Sequence, residues 1–324
     1  MRVLLVGGAG YIGSHVALAF LDRNYEVGIF DNLSTGLKEN VHPGSRFFEG
    51  DILDEKRLSE ICGKGWDAVV HLAAFKAAGE SMLEPEKYSV NNLFGSINLM
   101  IACVRQAIPH FVLSSSAAVY GEPRYIPVDE DHPTDPSNYY GFTKLEIERN
   151  LAWYEKLRGL RYASLRYFNA AGYDLQGRMT GIERNPANLI PVIMEVAAGM
   201  REELKIFGDD YDTPDGTGVR DYIHVNDLAE AHADALEYIV KNGSSLTVNL
   251  GSETGLSVLE ILETARRITG KPIKASVAGR RAGDPAKLVA SSRKAGEILN
   301  WKAERSSVED LVRTTWEVYS KWQG

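Results

Sequence analysis

The chain begins with the stretch Arg2-Val-Leu-Leu-Val-Gly-Gly-Ala-Gly-Tyr-Ile-Gly-Ser14, in which a short apolar run leads into glycines and then a helical pattern. Gly8, Gly10 and Gly13 fit the G-x-G-x-x-G spacing. Gly7 together with the last two fits the related G-x-x-G-x-x-G spacing. Glycine suits this place because the backbone must approach a pyrophosphate closely at a helix N-terminus. The strand–turn–helix order predicts a dinucleotide site, and the alternative is a glycine-rich turn without a ligand.

Two aspartates follow the next predicted strands. Asp31 ends the second strand, where a carboxylate can accept hydrogen bonds from the adenosine ribose. The same charge would repel the additional phosphate of NADP, so this position predicts NAD. Asp51 and Ile52 follow the third strand, where an aspartate can accept from the adenine amino group. Alternatively, Asp51 is the N-cap of a helix that begins at Leu53, and the two roles do not exclude each other.

Strand and helix patterns alternate through the first half of the chain. Six segments are predicted to be short buried strands, at 3–6, 26–30, 46–49, 68–71, 110–114 and 162–166. Helical patterns lie between them, at 14–22, 53–62 and 90–106. This alternation predicts an α/β fold with a Rossmann-type doubly wound parallel sheet and helices on both faces.

The pattern changes beyond about residue 170. It predicts a loop at 172–186 and helices at 189–199, 225–240, 258–269 and 307–321. It also predicts a short strand that runs into an acidic, glycine-rich loop within 205–215, and a strand at 247–250. We therefore divide the chain into an NAD-binding domain, 1–169, and a smaller C-terminal α/β substrate lobe, 170–324. Some segments of the lobe are expected to return to the main sheet.

Composition narrows the class of protein. The 324 residues are 44% hydrophobic and 25% charged, which is ordinary for a globular protein with a sizeable core. The net charge of −8 argues against a nucleic-acid groove, although a few local arginines suffice to bind one diphosphate. Cys62 and Cys103 indicate neither a disulfide framework nor a metal site. The apolar run at 2–6 is too short for a signal-peptide core, and no segment predicts a membrane span, so a cytoplasmic location is expected.

A second motif, Tyr140-Gly-Phe-Thr-Lys144, predicts chemistry beside the dinucleotide. Residues four apart on a helix lie on one face, and this helix is predicted to start near 137–139. A tyrosine pKa of about 10 must fall by roughly three units, about 4 kcal/mol, for a base at pH 7. Lys144 and a positively charged nicotinamide can supply this lowering. Ser116 ends a strand at the ligand-binding edge. The alternatives are an ordinary surface Tyr/Lys pair and a serine cap.

Several ordered segments extend this pattern along nearly the whole chain. They are Gly7–His15, Asp31–Leu33, Phe75–Ser81, Ser116–Gly121, Tyr140–Lys144, Arg166–Gly172, Asp212–His224 and Arg281–Asp284. In these segments the chain resembles the extended short-chain dehydrogenase/reductase family and, within it, the UDP-glucose 4-epimerases. The resemblance implies interconversion of UDP-galactose and UDP-glucose through a 4-keto sugar, with transient transfer of the C4 hydride to NAD.

The resemblance also implies residue roles. The implied catalytic residues are Ser116, Tyr140 and Lys144. The implied NAD contacts are Gly7, Gly10, Tyr11, Ile12, Gly13, Asp31, Asn32, Asp51, Ile52, Lys76, Asn92, Tyr140, Lys144 and Tyr167. The implied UDP-sugar contacts are Lys76, Ser116, Tyr140, Phe168, Asn169, Asn188, Leu189, Phe207, Arg220, Arg281 and Asp284. Structural alternatives remain open: a loop lysine for Lys76, a helix cap for Asn92, core aromatics for Tyr167 and Phe207, and surface ion pairs for the arginines.

Rival functions differ at identifiable positions. Nucleotide-sugar 4,6-dehydratases resemble this chain but usually carry an Asp-Glu pair after the serine strand, and the decarboxylases carry a Glu; Ala117-Ala118 stand there instead. An NAD-binding scaffold without activity is the non-enzyme alternative. The resemblance implies that Leu288 bounds the sugar C2 pocket, or Lys287 after a one-residue slip, so N-acetylated UDP-hexoses remain possible substrates. It also implies a homodimer joined through 90–106 and the helix bearing Tyr140.

Overall fold

The computed structural model describes residues 1–183, 186–281 and 284–322. Its strands are β1 Arg2–Val6, β2 Glu26–Asp31, β3 Arg46–Glu49, β4 Ala68–His71, β5 His110–Ser116, β6 Arg161–Tyr167, β7 Asn169–Ala171, β8 Leu204–Phe207, β9 Val219–His224, β10 Leu246–Leu250, β11 Gly255–Ser257, β12 Ala275–Ala278 and β13 Lys287–Leu288. Its α-helices are α1 Tyr11–Asp22, α2 Glu55–Cys62, α3 Ala78–Ser81, α4 Pro85–Tyr88, α5 Gly95–Arg105, α6 Tyr139–Arg158, α7 Leu189–Ala197, α8 Val225–Asn242, α9 Val258–Thr269, α10 Arg293–Leu299 and α11 Val308–Tyr319.

The main sheet is parallel and doubly wound, as predicted. Its seven strands run in the order β10-β6-β5-β4-β1-β2-β3, so the chain order reverses on the two sides of β1. Alternate side chains of β1 point to opposite faces of the sheet and belong to two different hydrophobic cores. Val3 and Leu5 pack on one face, and Leu4 and Val6 pack on the other. The carboxyl end of β1 is therefore a topological switch point, where open α/β sheets bind ligands.

The second half of the chain contributes both a small lobe and an edge of the main sheet. Strand β10 pairs in parallel with β6, so one segment of the predicted lobe returns to the sheet. The other strands form a sheet of β11, β9, β13 and β7 and a separate β8–β12 pair. Strand β9 was not predicted from the sequence, because Arg220 and Asp221 interrupt its apolar pattern. The division at 169/170 stays a prediction.

Helix ends follow the local sequence closely. Helix α6 begins after Asn138, whose side-chain oxygen accepts from Gly141 N at 2.9 Å. It ends at Gly159, which adopts φ +72°. These signals fix where Tyr140 enters the first turn of α6. Among the helices in the described ranges, none is long and apolar enough to cross a membrane.

Buried histidines make stability depend on pH. Burial lowers the pKa of His15 and His232 to about 4, and that of His71 and His224 to about 3. The unfolded chain binds these protons near pH 6.5, so their stabilising effect is lost as the pH falls below that value.

The free energy of unfolding is therefore expected to fall between pH 7 and pH 5, with a slope that approaches about 1.4 kcal/mol per pH unit for each buried histidine below about pH 6. Asp221 opposes the trend, because burial raises its pKa to about 6. Urea titrations at several pH values measure how the free energy of unfolding changes with pH. His224→Asn should reduce that slope by the contribution of one buried histidine. Equal stability at pH 7 and pH 5 would contradict this prediction.

Candidate functional site

The glycine turn after β1 is shaped by close backbone contacts. Gly7 has φ +87°, and a Cβ on it would lie 2.5 Å from Ala73 N. A Cβ on Gly13 would lie 2.3 Å from Gly7 O, so helix α1 could not approach the turn. Gly10 differs, because a Cβ there would meet only Gly7 O, at 3.4 Å. Packing within the described protein does not require glycine at position 10, whereas a ligand lying against the turn does.

The N-terminus of helix α1 faces this turn. The first intrahelical hydrogen bond runs from Ser14 N to Gly10 O at 3.0 Å, so the amides of Tyr11, Ile12 and Gly13 precede it. Gly10 is the N-cap and offers no side chain to satisfy these donors. Unsatisfied helix N-terminal amides and the helix dipole together bind phosphate groups. The predicted dinucleotide contacts Gly7, Gly10, Tyr11, Ile12 and Gly13 therefore lie together at one cradle.

Asp31 lies beside the cradle at the end of β2. Its side chain is 8% exposed, and its carboxylate accepts from Ala9 N at 3.0 Å and from Leu33 N at 2.8 Å. Burial raises the pKa of this carboxyl. Each oxygen uses one acceptor position on the protein, which leaves capacity for ribose hydroxyls. Asp31 thus ties the glycine turn to β2 and keeps the chemistry that a dinucleotide ribose needs.

Asp51 forms a small polar cluster with Asn32. Its oxygens accept from Asn32 Nδ2 and from Leu53 N, both at 2.8 Å. The N-cap alternative is wrong, because α2 begins at Glu55 and Asp54 accepts from Arg57 N at 2.9 Å. Ile52 is buried beside them. The base-contact interpretation of Asp51 stays a prediction.

The loop after β4 carries Lys76 next to the second lobe. Lys76 Nζ lies 2.6 Å from Glu183 Oε1 in a partly exposed ion pair. The fully buried Asn92 binds the same loop: its oxygen accepts from Phe75 N at 3.0 Å and its amide donates to Phe75 O at 3.0 Å. Asn92 lies inside the helical segment Ser89–Phe94, so the cap alternative is wrong. The observed role of Asn92 is to hold the Lys76 loop.

Tyr140 and Lys144 lie one turn apart on α6, as predicted, but their contacts differ from the expectation. Lys144 is 3% exposed, and its Nζ donates to the backbone oxygen of Ser114 at 2.7 Å. The same nitrogen lies 5.9 Å from the centre of the Tyr140 ring. Burial lowers the pKa of Lys144 to about 8.

Burial, followed by the neighbouring Tyr167, raises the pKa of Tyr140 well above its usual value, and the Ser116 hydroxyl opposes this. The expected lowering of the Tyr140 pKa is not found in the protein by itself. The reason is that loss of hydration on burial disfavours the charged phenolate more than the Ser116 hydrogen bond favours it. A base at Tyr140 therefore needs further positive charge beside it.

Ser116 and Tyr167 complete this end of the sheet. They face each other in register on β5 and β6. The Ser116 oxygen accepts from Ala118 N at 3.1 Å, so the predicted cap role is present, and its hydroxyl proton remains available. Ser116, Tyr140 and Tyr167 thus form a group of hydroxyls at the carboxyl edge of the sheet.

A cleft of about 470 Å³ lies in the second half of the chain, lined by residues between 169 and 284. Seven predicted UDP-sugar contacts line it: Asn169, Asn188, Leu189, Phe207, Arg220, Arg281 and Asp284. The cleft is aromatic and cationic, since the guanidinium carbon of Arg281 lies 3.8 Å from the centre of the Phe207 ring. Arg220 Nη2 lies 3.5 Å from Asp284 Oδ1. Ala282 and Gly283, between Arg281 and Asp284, lie outside the described residues.

Helix α7 adds an anion-binding feature to the cleft. Its N-cap, Asn188, makes no side-chain hydrogen bond to the first turn in the described structure, and Leu189 is the first helical residue. Amides of this turn suit a diphosphate, and the two arginines offer planar donors for its oxygens. The cleft therefore fits an anionic ligand with an aromatic base.

Phe168 and Leu288 share one apolar environment next to the end of β5. Both pack on the buried cluster of Ala117, Val119, Tyr120, Val128 and Leu145. Lys287 is exposed. Which of the two residues bounds the sugar pocket stays a prediction.

Sequence reasoning missed the buried polar residues behind the site. Glu148 accepts from Arg166 Nη2 at 2.6 Å and from the Ser115 hydroxyl. Ser114 holds Lys144, as described above, and its hydroxyl lies 3.1 Å from His232 Nε2. The spacing of Glu148 from Lys144, four residues on one helix, was the available signal. In the described part of the chain, no cluster of three or more His, Cys, Asp or Glu residues is suited to hold a metal ion.

Comparisons with known proteins agree with this geometry. Residues 3–251 match the model of the NAD dependent epimerase/dehydratase family. The chain is 44% identical to the UDP-glucose 4-epimerase of Streptococcus mutans, with 99% of this chain and 98% of that protein covered. It is 43% identical to the UDP-glucose 4-epimerase of Brucella ovis in complex with NAD, with a TM-score of 0.96 and 98% of both chains covered.

A third relative is the UDP-glucose 4-epimerase of Bifidobacterium longum, solved in complex with NAD+ and UDP. It is 35% identical, has a TM-score of 0.92, and the match covers 99% of this chain and 98% of that one. The family model spans β1 to the end of β10, which includes the whole main sheet. The chain therefore belongs to the NAD dependent epimerase/dehydratase family.

Proposed function

We propose that this protein is a UDP-glucose 4-epimerase, an isomerase that interconverts UDP-galactose and UDP-glucose with NAD as its cofactor. The observation that carries the proposal is the meeting of two sites. The glycine cradle follows β1, and Ser116 ends β5 at the same edge of the parallel sheet. Asn169, which lines the cationic cleft, comes two residues after Tyr167, the register partner of Ser116. The Streptococcus mutans and Brucella ovis relatives, named for this activity, support the proposal.

The described residues fit NAD. Gly10 leaves open space against the turn, the first amides of α1 suit the pyrophosphate, and Asp31 keeps acceptor capacity for the ribose. When bound, NAD would supply a two-electron acceptor for the C4 hydride of the sugar. Its positive charge is also the further charge that a base at Tyr140 needs.

Each residue at the junction then has a definite task. Tyr140 takes the proton from the sugar 4-hydroxyl and later returns it to the same oxygen, and Ser116 hydrogen-bonds that oxygen throughout. Lys144 remains fixed to Ser114 O and contributes positive charge behind the tyrosine. Arg220, Arg281 and the N-terminus of α7 hold the diphosphate, so the 4-keto hexose can turn and present its other face.

The same positions argue against elimination of water. Ala117 and Ala118 follow Ser116, and neither side chain has an acid or a base to remove a proton from C5.

The test of the proposed function is to incubate the purified protein with UDP-galactose, with and without added NAD, and to separate UDP-glucose by chromatography. Formation of UDP-glucose supports the proposal. Absence of conversion of both UDP-galactose and UDP-N-acetylgalactosamine would favour the scaffold alternative.

Leu288 is expected to set the size of the sugar pocket. Leu288→Tyr should suppress any activity on UDP-N-acetylglucosamine at least tenfold more than on UDP-glucose, because the added ring would occupy the space of the N-acetyl group. Steady-state kcat/KM on both sugars measures the ratio. Lys287→Tyr is the matched control, since that side chain is exposed. Equal losses of kcat/KM on the two substrates would show that Leu288 does not bound the sugar pocket.

The proposal includes association with a second copy of the chain. Exposed apolar side chains occur on Ser89–Phe94 and on the adjacent α6, including Phe94 (59% exposed), Trp153 (58%) and Leu157 (59%). Such a surface is more apolar than single scattered residues require. Sedimentation velocity tests this association: the wild type is expected to be a dimer and Trp153→Glu a monomer.

A cytoplasmic location is part of the proposal and agrees with two free, buried cysteines.

A further inference from the structure

Ser114, on strand β5, connects its strand to three other elements around the catalytic group. Its backbone oxygen accepts from Lys144 Nζ at 2.7 Å. Its hydroxyl oxygen lies 3.2 Å from the Tyr167 hydroxyl and 3.1 Å from His232 Nε2. Ser114 is 1% exposed and His232 is fully buried. Strand β5, helix α6, strand β6 and helix α8 are thus joined at one serine.

The direction of these hydrogen bonds follows from the far side of the histidine ring. His232 Nδ1 lies 2.8 Å from Leu228 O, and a carbonyl oxygen can only accept, so Nδ1 carries the proton. Burial lowers the pKa of His232 to about 4, so the ring is neutral and Nε2 is an acceptor. Ser114 therefore donates to His232, and its oxygen accepts from Tyr167.

This order determines what Tyr167 can offer to a ligand. The single hydroxyl proton of Tyr167 is committed to Ser114, so its remaining capacity is that of an acceptor. Tyr167 is in register with Ser116, and its hydroxyl contacts Ser114, whose backbone oxygen holds Lys144, so the hydroxyl lies beside the catalytic group. An acceptor there is complementary to an amide N–H, which the carboxamide of a nicotinamide provides.

We propose that His232 is a positioning residue: through Ser114 it fixes the Tyr167 hydroxyl as an acceptor for the carboxamide of bound NAD. The inference rests on the proposed function, since it requires NAD beside Tyr140. The chain of contacts spans residues 114, 167 and 232, which come from separate parts of the sequence. Its effect is on the orientation and affinity of the cofactor rather than on proton transfer.

The experiment measures the Kd of NAD by titration of cofactor-free protein. Ser114→Ala, Tyr167→Phe and His232→Leu should each weaken NAD binding by about threefold to tenfold, the range of one lost hydrogen bond. Ser114→Ala keeps the backbone oxygen that holds Lys144. Because the groups act in series, Ser114→Ala combined with Tyr167→Phe should bind NAD no more weakly than Tyr167→Phe alone. His232→Gln should restore binding, since its amide can donate to Leu228 and accept from Ser114.

Ser164→Ala is the matched control. Ser164 is a fully buried serine on β6, and its hydroxyl has no hydrogen-bond partner among the described residues. If the test variants bind NAD as tightly as this control, or if the double variant shows additive losses, the inference is overturned. If the wild type itself does not bind NAD, the proposed function is wrong. If the wild type binds NAD but the variants bind it equally well, only the inference about His232 is wrong.

Thermal unfolding separates positioning from a general structural role. In the positioning role, the rise in Tm on adding saturating NAD is smaller in Ser114→Ala than in wild type, because linkage reports NAD affinity. A loss of Tm that is the same with and without NAD, leaving the rise unchanged, would overturn the inference.

Discussion

Tyr140→Phe is expected to lower kcat for the conversion of UDP-galactose to UDP-glucose by about 10²–10⁴-fold, the usual contribution of one general acid–base group. The substitution removes a single oxygen and leaves the ring in place. That oxygen lies in the group of hydroxyls that includes Ser116 and Tyr167. Initial rates at saturating UDP-galactose measure the effect.

The neighbouring tyrosine supplies a matched control. Tyr139 is also in the first turn of α6, but its hydroxyl bonds Ser89 Oγ at 2.6 Å, away from the catalytic group. Tyr139→Phe should therefore retain activity within a few fold, while both variants should retain bound NAD. If Tyr140→Phe and Tyr139→Phe had equal activity, Tyr140 could not be the base.

The pH profile of the wild type offers an independent test of the same assignment. Burial holds Tyr140 in its protonated form in the protein by itself, since its pKa is raised. With bound NAD the pKa governing activity should be far lower, because a fixed positive charge favours the phenolate. The limb of the kcat–pH profile that reports the base should therefore be absent in Tyr140→Phe.

The second large effect is expected from the ion pair behind the site. Glu148→Ala should lower the free energy of unfolding by about 3–5 kcal/mol, because it leaves the Arg166 guanidinium buried without its partner. Both residues are less than a tenth exposed, at 7% for Glu148 and 8% for Arg166. Arg166 donates to both carboxylate oxygens, at 3.0 Å to Oε1 and 2.6 Å to Oε2. Urea denaturation followed by circular dichroism measures the loss.

A surface pair on the same helix provides the comparison. Arg149 and Glu146 are also paired, at 2.6 Å, but Arg149 is 58% exposed. Glu146→Ala should therefore change stability by less than about 1 kcal/mol. Replacing both Glu148 and Arg166 with methionine should recover much of the stability lost in Glu148→Ala, since no buried charge would remain. A loss in the double variant as large as in the single one would contradict an origin in the unpaired charge.

Local sequence signals were sufficient for the cofactor half of the fold. Turn glycines, a strand-end aspartate and alternating apolar periods act over a few residues, so the parallel sheet, the cradle and the bounds of strands such as Arg46–Glu49 and Ala68–His71 were predicted correctly. Strand Val219–His224 was missed because Asp221 is charged yet fully buried. Its carboxylate accepts from Ser252 and Ala290, residues remote from it in sequence.

The sequence by itself determined the β1–glycine–α1 unit and the placement of Tyr140 and Lys144 on one helix face, because both depend on backbone geometry within a single turn. The tertiary structure decided the electrostatics and the contacts. It raised the pKa of Tyr140 through burial, directed Lys144 to Ser114, and packed Leu288 on the same buried cluster as Phe168. It also joined Ser114 to His232 and Glu148 to Arg166. Loss of hydration and hydrogen bonding between remote segments depend on packing, and the packed chain alone determines them.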